Sequence, residues 1–204
     1  LLSCSYVLGT GSTFAETLAR EWKSKIKIDE IKAKRDHEIT QYYISQGIDV
    51  AKTKEIFETL RKKADDMYME TMRKTSYNSQ AAENAKKIIT NSPEYIQAEK
   101  AYRQISKAPV IIKRKWSNLS DFISGATQDS DSLGQGHSRK YWREDPNNRF
   151  TEAFAEIAAS KSSNQASYNL LQKYLPETVA AFNELYDKLK SGEIKANGRK
   201  KYQP

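Results

Sequence analysis

Apolar residues spaced four apart near the start of the chain restrict its fold more than any other sequence feature. Residues at this spacing lie above one another on a helix and form one apolar side. The stripe consists of Phe14, Leu18, Trp22 and Ile26. It predicts a long helix whose pattern continues to about Tyr43 and which Gly47 terminates.

A second stripe follows Asp49, a residue suited to cap a helix. Its members are Ile56, Leu60, Ala64, Met67 and Thr71. Two long helices joined by a short loop that contains glycine are typical of an antiparallel pair. We therefore expect a long helical hairpin in the N-terminal half.

The remaining sequence also indicates helices. Ser92 followed by Pro93 is a strong start signal, because serine caps a helix and proline fits its first turn. Further helices are predicted over about 80–90, 93–105, 119–126, 149–160, 164–174 and 176–190. Only Val110–Ile112 is β-branched enough to suggest a strand. The predicted fold class is mainly α, with at most one short strand or hairpin.

Charge and cysteine content restrict the function classes. The chain has 34 basic and 26 acidic residues, a formal net charge of +8. Such an excess favours contact with nucleic acid or another polyanion through counterion release, although it can also serve solubility alone. The single Cys4 excludes an internal disulfide framework and a multi-cysteine zinc site. No run of about 18 apolar residues exists, so no membrane span is expected.

His37 is followed by Glu38 but not by a second histidine four residues on, where Gln41 stands. A zinc metallopeptidase helix needs both histidines, because two imidazoles on one face hold the metal. The motif is therefore broken, and we expect His37 to be a solvated helix residue.

The region around His137 offers a second candidate site. A glycine-containing segment, 134–136, precedes His137, and Glu152 and Glu156 lie four apart on a predicted helix. Two carboxylates on one helix face near a histidine can form a metal or acid/base site. The alternative is that a preceding Thr or Asn caps the helix and that these glutamates complement its dipole. The spacing leaves both interpretations open.

The order of several short motifs resembles the C-terminal region of phage and prophage minor head proteins. That region is similar to a zincin-type metallopeptidase domain of the anthrax lethal-factor kind. The matching motifs cover about a third of the chain. They are the segments 119–127, 136–138, 141–142, 152–156 and 174–176.

The resemblance implies roles for four residues. Glu152 matches the third protein ligand to zinc, and Glu156, one turn on, would orient a ligand or the helix. Tyr141 would steady the oxyanion of peptide hydrolysis, and His137 would serve the same metal region or donate a hydrogen bond there. Glu152 and Tyr141 are then expected to face a common cleft.

The resemblance lacks one essential part, because the chain contains no His-Glu-x-x-His helix. In the family that helix lies upstream, and this chain begins with Leu1, so we expect a fragment, a processed product or a domain that has lost the motif. Zinc is expected only in a longer form and not for this chain alone.

Three functions remain open at this point. The first is a truncated or inactive zincin-like segment of a minor head protein, located in the virion or host cytoplasm and associated with phage head or portal proteins. The second is a basic helical module that binds DNA or a virion protein. The third is a working peptidase whose metal helix lies upstream or on another chain. The expected regions are a helical extension over 1–108, the zincin-like region over 109–195 and a basic tail over 196–204.

Overall fold

The computed structural model describes residues 11–25, 27–127, 133 and 148–194. Within these residues it has nine helices and no strand, which confirms the mainly α fold class. The helices are α1 (Phe14–Lys25), α2 (Ile28–Ser45), α3 (Val50–Lys74), α4 (Ser79–Thr90), α5 (Pro93–Ile105), α6 (Val110–Thr127), α7 (Asn148–Ser163), α8 (Gln165–Tyr174) and α9 (Pro176–Lys190). None of these helices is both long and apolar enough to cross a membrane.

The chain divides into two compact units, and the division falls inside α2. Unit one takes the described residues up to Lys34 and those from Val110 onward. Unit two is Arg35–Pro109. The sequence grouped all residues up to 108 in one extension, whereas the structure packs α1 on α9 in the C-terminal half. Such a long-range contact leaves no trace in local spacing.

The core of unit one lies where α6 packs on α7 and α8 and where α1 packs on α9. The ring of Phe154 on α7 lies between two others, with centroids 5.7 Å from Phe14 on α1 and 4.7 Å from Phe182 on α9. Both Phe14 and Phe182 are fully buried. This aromatic contact joins three helices that are far apart in sequence.

The β-branched run Val110–Ile112 is the first turn of α6, so the strand suggested there is wrong. The same helix also includes residues 119–126, which were predicted to form a separate helix starting at Leu119. Its inner face carries Ile112 and the buried residues Trp116, Leu119 and Ile123. This helical spacing decides the outcome, because packing of an apolar helix face outweighs the weak local preference of three β-branched residues.

The predicted helix from Phe14 to Tyr43 is two helices, which separate between Lys25 and Ile28. Leu18 on α1 and Ile31 on α2 are both buried in the same core. On one straight helix these two residues would lie roughly 140° apart around the axis, at 3.6 residues per turn. A break is therefore needed for both side chains to reach the core.

Glu21 on α1 is completely buried and caps the start of α9. Its Oε1 accepts a hydrogen bond from the Glu177 backbone N–H at 3.0 Å, and its Oε2 accepts one from Thr178 at 2.7 Å. Leu175, which precedes α9, provides no side-chain cap. The first backbone N–H groups of a helix have no acceptor within the helix. Here the Glu21 carboxylate, which is distant in sequence, is the acceptor for two of them.

Unit two is built on α3, which packs on α4 and α5. The closely packed pair of consecutive helices is thus α3 and α4, one step later in the chain than the predicted hairpin. Three of its helices start with a side-chain cap, from Asp49, Asn78 and Ser92. The caps at Asp49 and Ser92 confirm the helix starts predicted there.

The core of unit two is thin. Its buried apolar residues are Tyr43, Val50, Phe57, Ala64, Ala82, Ile89, Ala98 and Ile105. Three of these eight are alanines, which contribute little apolar area. A unit with so small a core depends strongly on each large buried side chain.

Tyr43 joins the end of α2 to the end of α5. Its hydroxyl lies 2.7 Å from the Gln104 carbonyl oxygen and 2.8 Å from that of Lys107, and it donates to both. Burial, with a contribution from Tyr42, raises the pKa of the Tyr43 hydroxyl above its usual value. After α2, Gly47 adopts a φ of +77°, a left-handed conformation that glycine adopts without strain and that ends the helix as predicted.

Candidate functional site

The two predicted glutamates lie on α7 beside its buried face. That face consists of Ala153, Ile157 and Ser160. Glu152 and Glu156 are each partly buried at its edge. The first turn of α7 contains no acidic residue, so Glu152 lies just beyond the turn where the helix dipole acts most strongly. Both carboxylates therefore lie at the border between the buried and the exposed side of α7.

Glu156 is part of a polar network that links α6, α7 and α8. Its Oε2 accepts a hydrogen bond from Asn118 Nδ2 on α6 at 2.6 Å. The Asn118 Oδ1 in turn accepts one from Asn164 Nδ2 at 3.0 Å. Asn164 also donates to the Arg114 carbonyl oxygen at 2.7 Å and caps α8 by accepting from the Ser167 N–H. The hydrogen bonds of Asn118 with Glu156 and of Asn164 with Asn118 and Arg114 hold α6 against its neighbours, whereas the Ser167 contact caps α8 itself.

The network gives Glu156 a positioning role in the fold. A carboxylate that accepts from Asn118 at the junction of α6 and α7 holds the register of the two helices. Sequence spacing missed Asn118 and the further contacts of Asn164. The available signal was the position of Asn164 directly before α8, which is typical of a capping residue.

We expect Glu156→Ala to lower the free energy of unfolding of unit one by about 1.5–3 kcal/mol, the range for a hydrogen bond to a charged group. Glu156→Gln keeps an acceptor oxygen for Asn118 and should lose less than about 1 kcal/mol. Denaturant titration followed by tryptophan fluorescence measures both, because all three tryptophans lie before residue 35 or after residue 109. Equal losses for the two variants would contradict the acceptor role.

The other two predicted site residues, His137 and Tyr141, lie outside the described residues, as does the segment 134–136. The predicted common cleft of Glu152 and Tyr141 therefore stays a prediction. Among the described residues, no three His, Cys, Asp or Glu side chains gather closely enough to hold a metal ion. His37 is exposed on α2, which confirms the expectation that it is a solvated helix residue.

A groove of about 640 Å³ lies at the connection between α2 and α3 in unit two. Its lining includes the apolar residues Ile44, Ile48 and Val50. The one acid in the lining, Asp49, is already used, since its side chain accepts from the Lys52 N–H at 2.9 Å. The other ionisable residue of the lining is Lys54.

A basic surface lies on the outer face of α6, which we define by Val110, Ile111, Lys113 and Arg114. All four residues are exposed, and neither Lys113 nor Arg114 forms an ion pair with another described residue. At 3.6 residues per turn, the four span roughly 160° of the helix circumference. Ile112 and Trp116 lie on the opposite side, in the core. The helix therefore separates a buried apolar face from an outer face with two cations that have no ion pair in the described part of the chain.

The two aliphatic residues of this outer face are unusually open. Val110 is 82% exposed and Ile111 is 67% exposed. Full burial of such a side chain is worth about 1.5–3 kcal/mol, and the described fold gains little of it here. Contiguous exposed apolar area can mark an interaction surface, and here two open aliphatic side chains lie beside two exposed cations.

Comparison with protein-family models, with curated proteins and with solved structures finds no match for this chain. The fold and the surfaces described above define a helical protein of two compact units.

Proposed function

We propose that this chain is a non-catalytic helical module that binds nucleic acid through the outer face of α6. The observation that supports this most directly is the local charge. From Val110 to Ser120, α6 has three basic residues and no acidic one. Within this stretch, Lys113 and Arg114 are exposed on α6 and lack ion pairs with described residues.

The physical reason is counterion release. A lysine or arginine that replaces a condensed cation at a phosphate frees that cation into solution, which favours binding most at low salt. Cations that are already paired within the protein must first give up their partner. Lys113 and Arg114 have no such pair among the described residues, so their contact with phosphate carries no such loss.

Duplex DNA binding measured by fluorescence anisotropy over a range of KCl concentrations tests this function. Each phosphate contact contributes about 0.9 to the slope of log affinity against log salt. The double variant Lys113→Gln/Arg114→Gln should therefore bind more weakly and lower the slope by about 1.8.

The matched control is Arg61→Gln/Lys74→Gln, which removes the same net charge from α3. Arg61 pairs with Glu58, and Lys74 pairs with Glu70. This control should change the slope by much less than the α6 variant. A slope near zero for the wild type, or equal effects of the two double variants, would contradict binding through α6.

The resemblance to phage and prophage minor head proteins supplies a second candidate function, an inactive or truncated zincin-like segment of a virion protein. The placement of Glu152 and Glu156 one turn apart at the partly buried edge of α7 supports it. The coding sequence upstream of Leu1 tests it, because it must supply the His-Glu-x-x-His helix of an active form. For such a longer chain, zinc bound at one equivalent and lost in Glu152→Gln is the expected result by native mass spectrometry. No bound zinc would exclude the metallopeptidase activity.

A further inference from the structure

The outer face of α6 combines two properties that a phosphate contact alone does not require. It has two cations without an ion pair to any described residue, Lys113 and Arg114, and directly beside them it has the aliphatic side chains of Val110 and Ile111. Val110 has the largest exposed fraction of any large apolar residue in the described part of the chain. A partner that matches this face offers both negative charge and an apolar slot.

Duplex DNA offers both when a base step opens. Proteins that bind the minor groove insert aliphatic wedges between neighbouring base pairs while basic side chains contact the adjacent phosphates, and the duplex kinks by roughly 20–90°. The helix places Val110 and Ile111 two to four residues before Lys113 and Arg114, so the wedge and its flanking cations are at most about 6 Å apart along the axis.

An anionic membrane is the other partner with both properties, and the burial pattern of α6 disfavours it. A helix that lies on a bilayer inserts an apolar face that runs along its length. The long apolar face of α6 is already used in the core of unit one by Trp116, Leu119 and Ile123. Among the described side chains of α6, only Val110 and Ile111 are large, apolar and exposed, which suits a wedge between two base pairs better than a membrane surface.

We propose that Val110 and Ile111 form a wedge that enters duplex DNA at one base step and bends it, while Lys113 and Arg114 hold the flanking phosphates. This inference rests on the proposed nucleic-acid binding and specifies how the duplex is bound. If it holds, every duplex that the protein binds is also kinked. Binding and bending are separable measurements, so each proposal can fail on its own.

The test uses the full chain and a 30-base-pair duplex labelled at both ends, with energy transfer reporting the bend and anisotropy reporting binding. The wild type should increase the transfer on saturation. Val110→Ser/Ile111→Ser should still bind, about tenfold more weakly, with an unchanged salt slope, and the transfer should return to that of free DNA.

The matched control is Ile88→Ser/Ile96→Ser, which removes two exposed aliphatic residues from α4 and α5, 71% and 54% exposed. It should bend DNA as the wild type does.

Binding without a change in transfer, or normal bending by the Val110/Ile111 variant, would overturn the wedge and leave nucleic-acid binding intact. No binding at low salt would overturn both. Binding to anionic phosphatidylserine vesicles that depends on Val110 and Ile111, with no bending of DNA, would assign the face to a membrane instead.

Discussion

Glu21→Ala should lower the free energy of unfolding of unit one by roughly 2–5 kcal/mol, one of the two largest single-residue effects that we expect. The reason is the buried carboxylate, which accepts the backbone N–H groups of Glu177 and Thr178 through its two separate oxygens. Alanine leaves both N–H groups without this partner, and the Thr178 bond lies in the interior. A buried donor without an acceptor costs much more than an ordinary hydrogen bond contributes.

Arg20→Ala is the matched control, because Arg20 is adjacent on α1 and also contacts the start of α9. Its Nη2 lies 3.2 Å from Glu177 Oε2 in an exposed ion pair. Such a surface pair contributes about 0–1 kcal/mol. Denaturant titrations followed by tryptophan fluorescence should separate the two variants clearly, with Glu21→Gln between them because its amide has only one acceptor oxygen. Equal losses for Glu21→Ala and Arg20→Ala would show that the cap contributes little.

Phe57→Ala should destabilise unit two by about 3–5 kcal/mol, the usual range for removing a buried aromatic ring. Phe57 on α3 stacks on Tyr102 of α5 with centroids 4.4 Å apart and contacts Tyr95 at 5.8 Å. These rings connect the longest helix of the unit to α5. Since the remaining core includes three alanines, few other large side chains can compensate for the loss.

Ile56→Ala is the control for this prediction, since Ile56 is the preceding residue on α3 but is 45% exposed. Its replacement should cost about 0.5 kcal/mol or less. Hydrogen exchange measured by mass spectrometry follows unit two directly through peptides from residues 50–105. Protection should fall strongly in Phe57→Ala and remain in Ile56→Ala. Retained protection in Phe57→Ala would mean that the stacked rings are not essential to the unit.

The surface proposed to bind nucleic acid could be predicted only in part from the sequence. The run Lys113–Lys115 was visible, but its β-branched neighbours suggested a strand, and a strand would have placed alternate residues on opposite faces. As a helix, the same segment puts Lys113, Arg114 and both open aliphatic residues on one side. The correct secondary structure is thus what turns a short basic run into a surface.

Glu21 shows the limit of spacing arguments on α1. Among its side chains up to residue 22, the buried ones are Phe14, Thr17, Leu18 and Glu21, a regular helical stripe in which an acid takes an apolar position. An acid at an apolar position of a helix is a signal, present in the sequence, that its carboxylate has a polar partner in the interior. Its partners, the N–H groups of α9, lie 156 and 157 residues away, and no local pattern identifies them.

The amino-acid sequence by itself determined the helical class, the capped starts at Asp49 and Ser92 and the ends of the last helix, Pro176–Lys190. These features depend on neighbours within one or two turns, where spacing and capping act. The tertiary structure decided which helices pack together and that α1 and α2 are separate helices. It also decided that the carboxylates of Glu21 and Glu156 hold other helices in place. Those outcomes depend on contacts between distant segments, and a contact between distant segments is fixed only when the whole core packs at once.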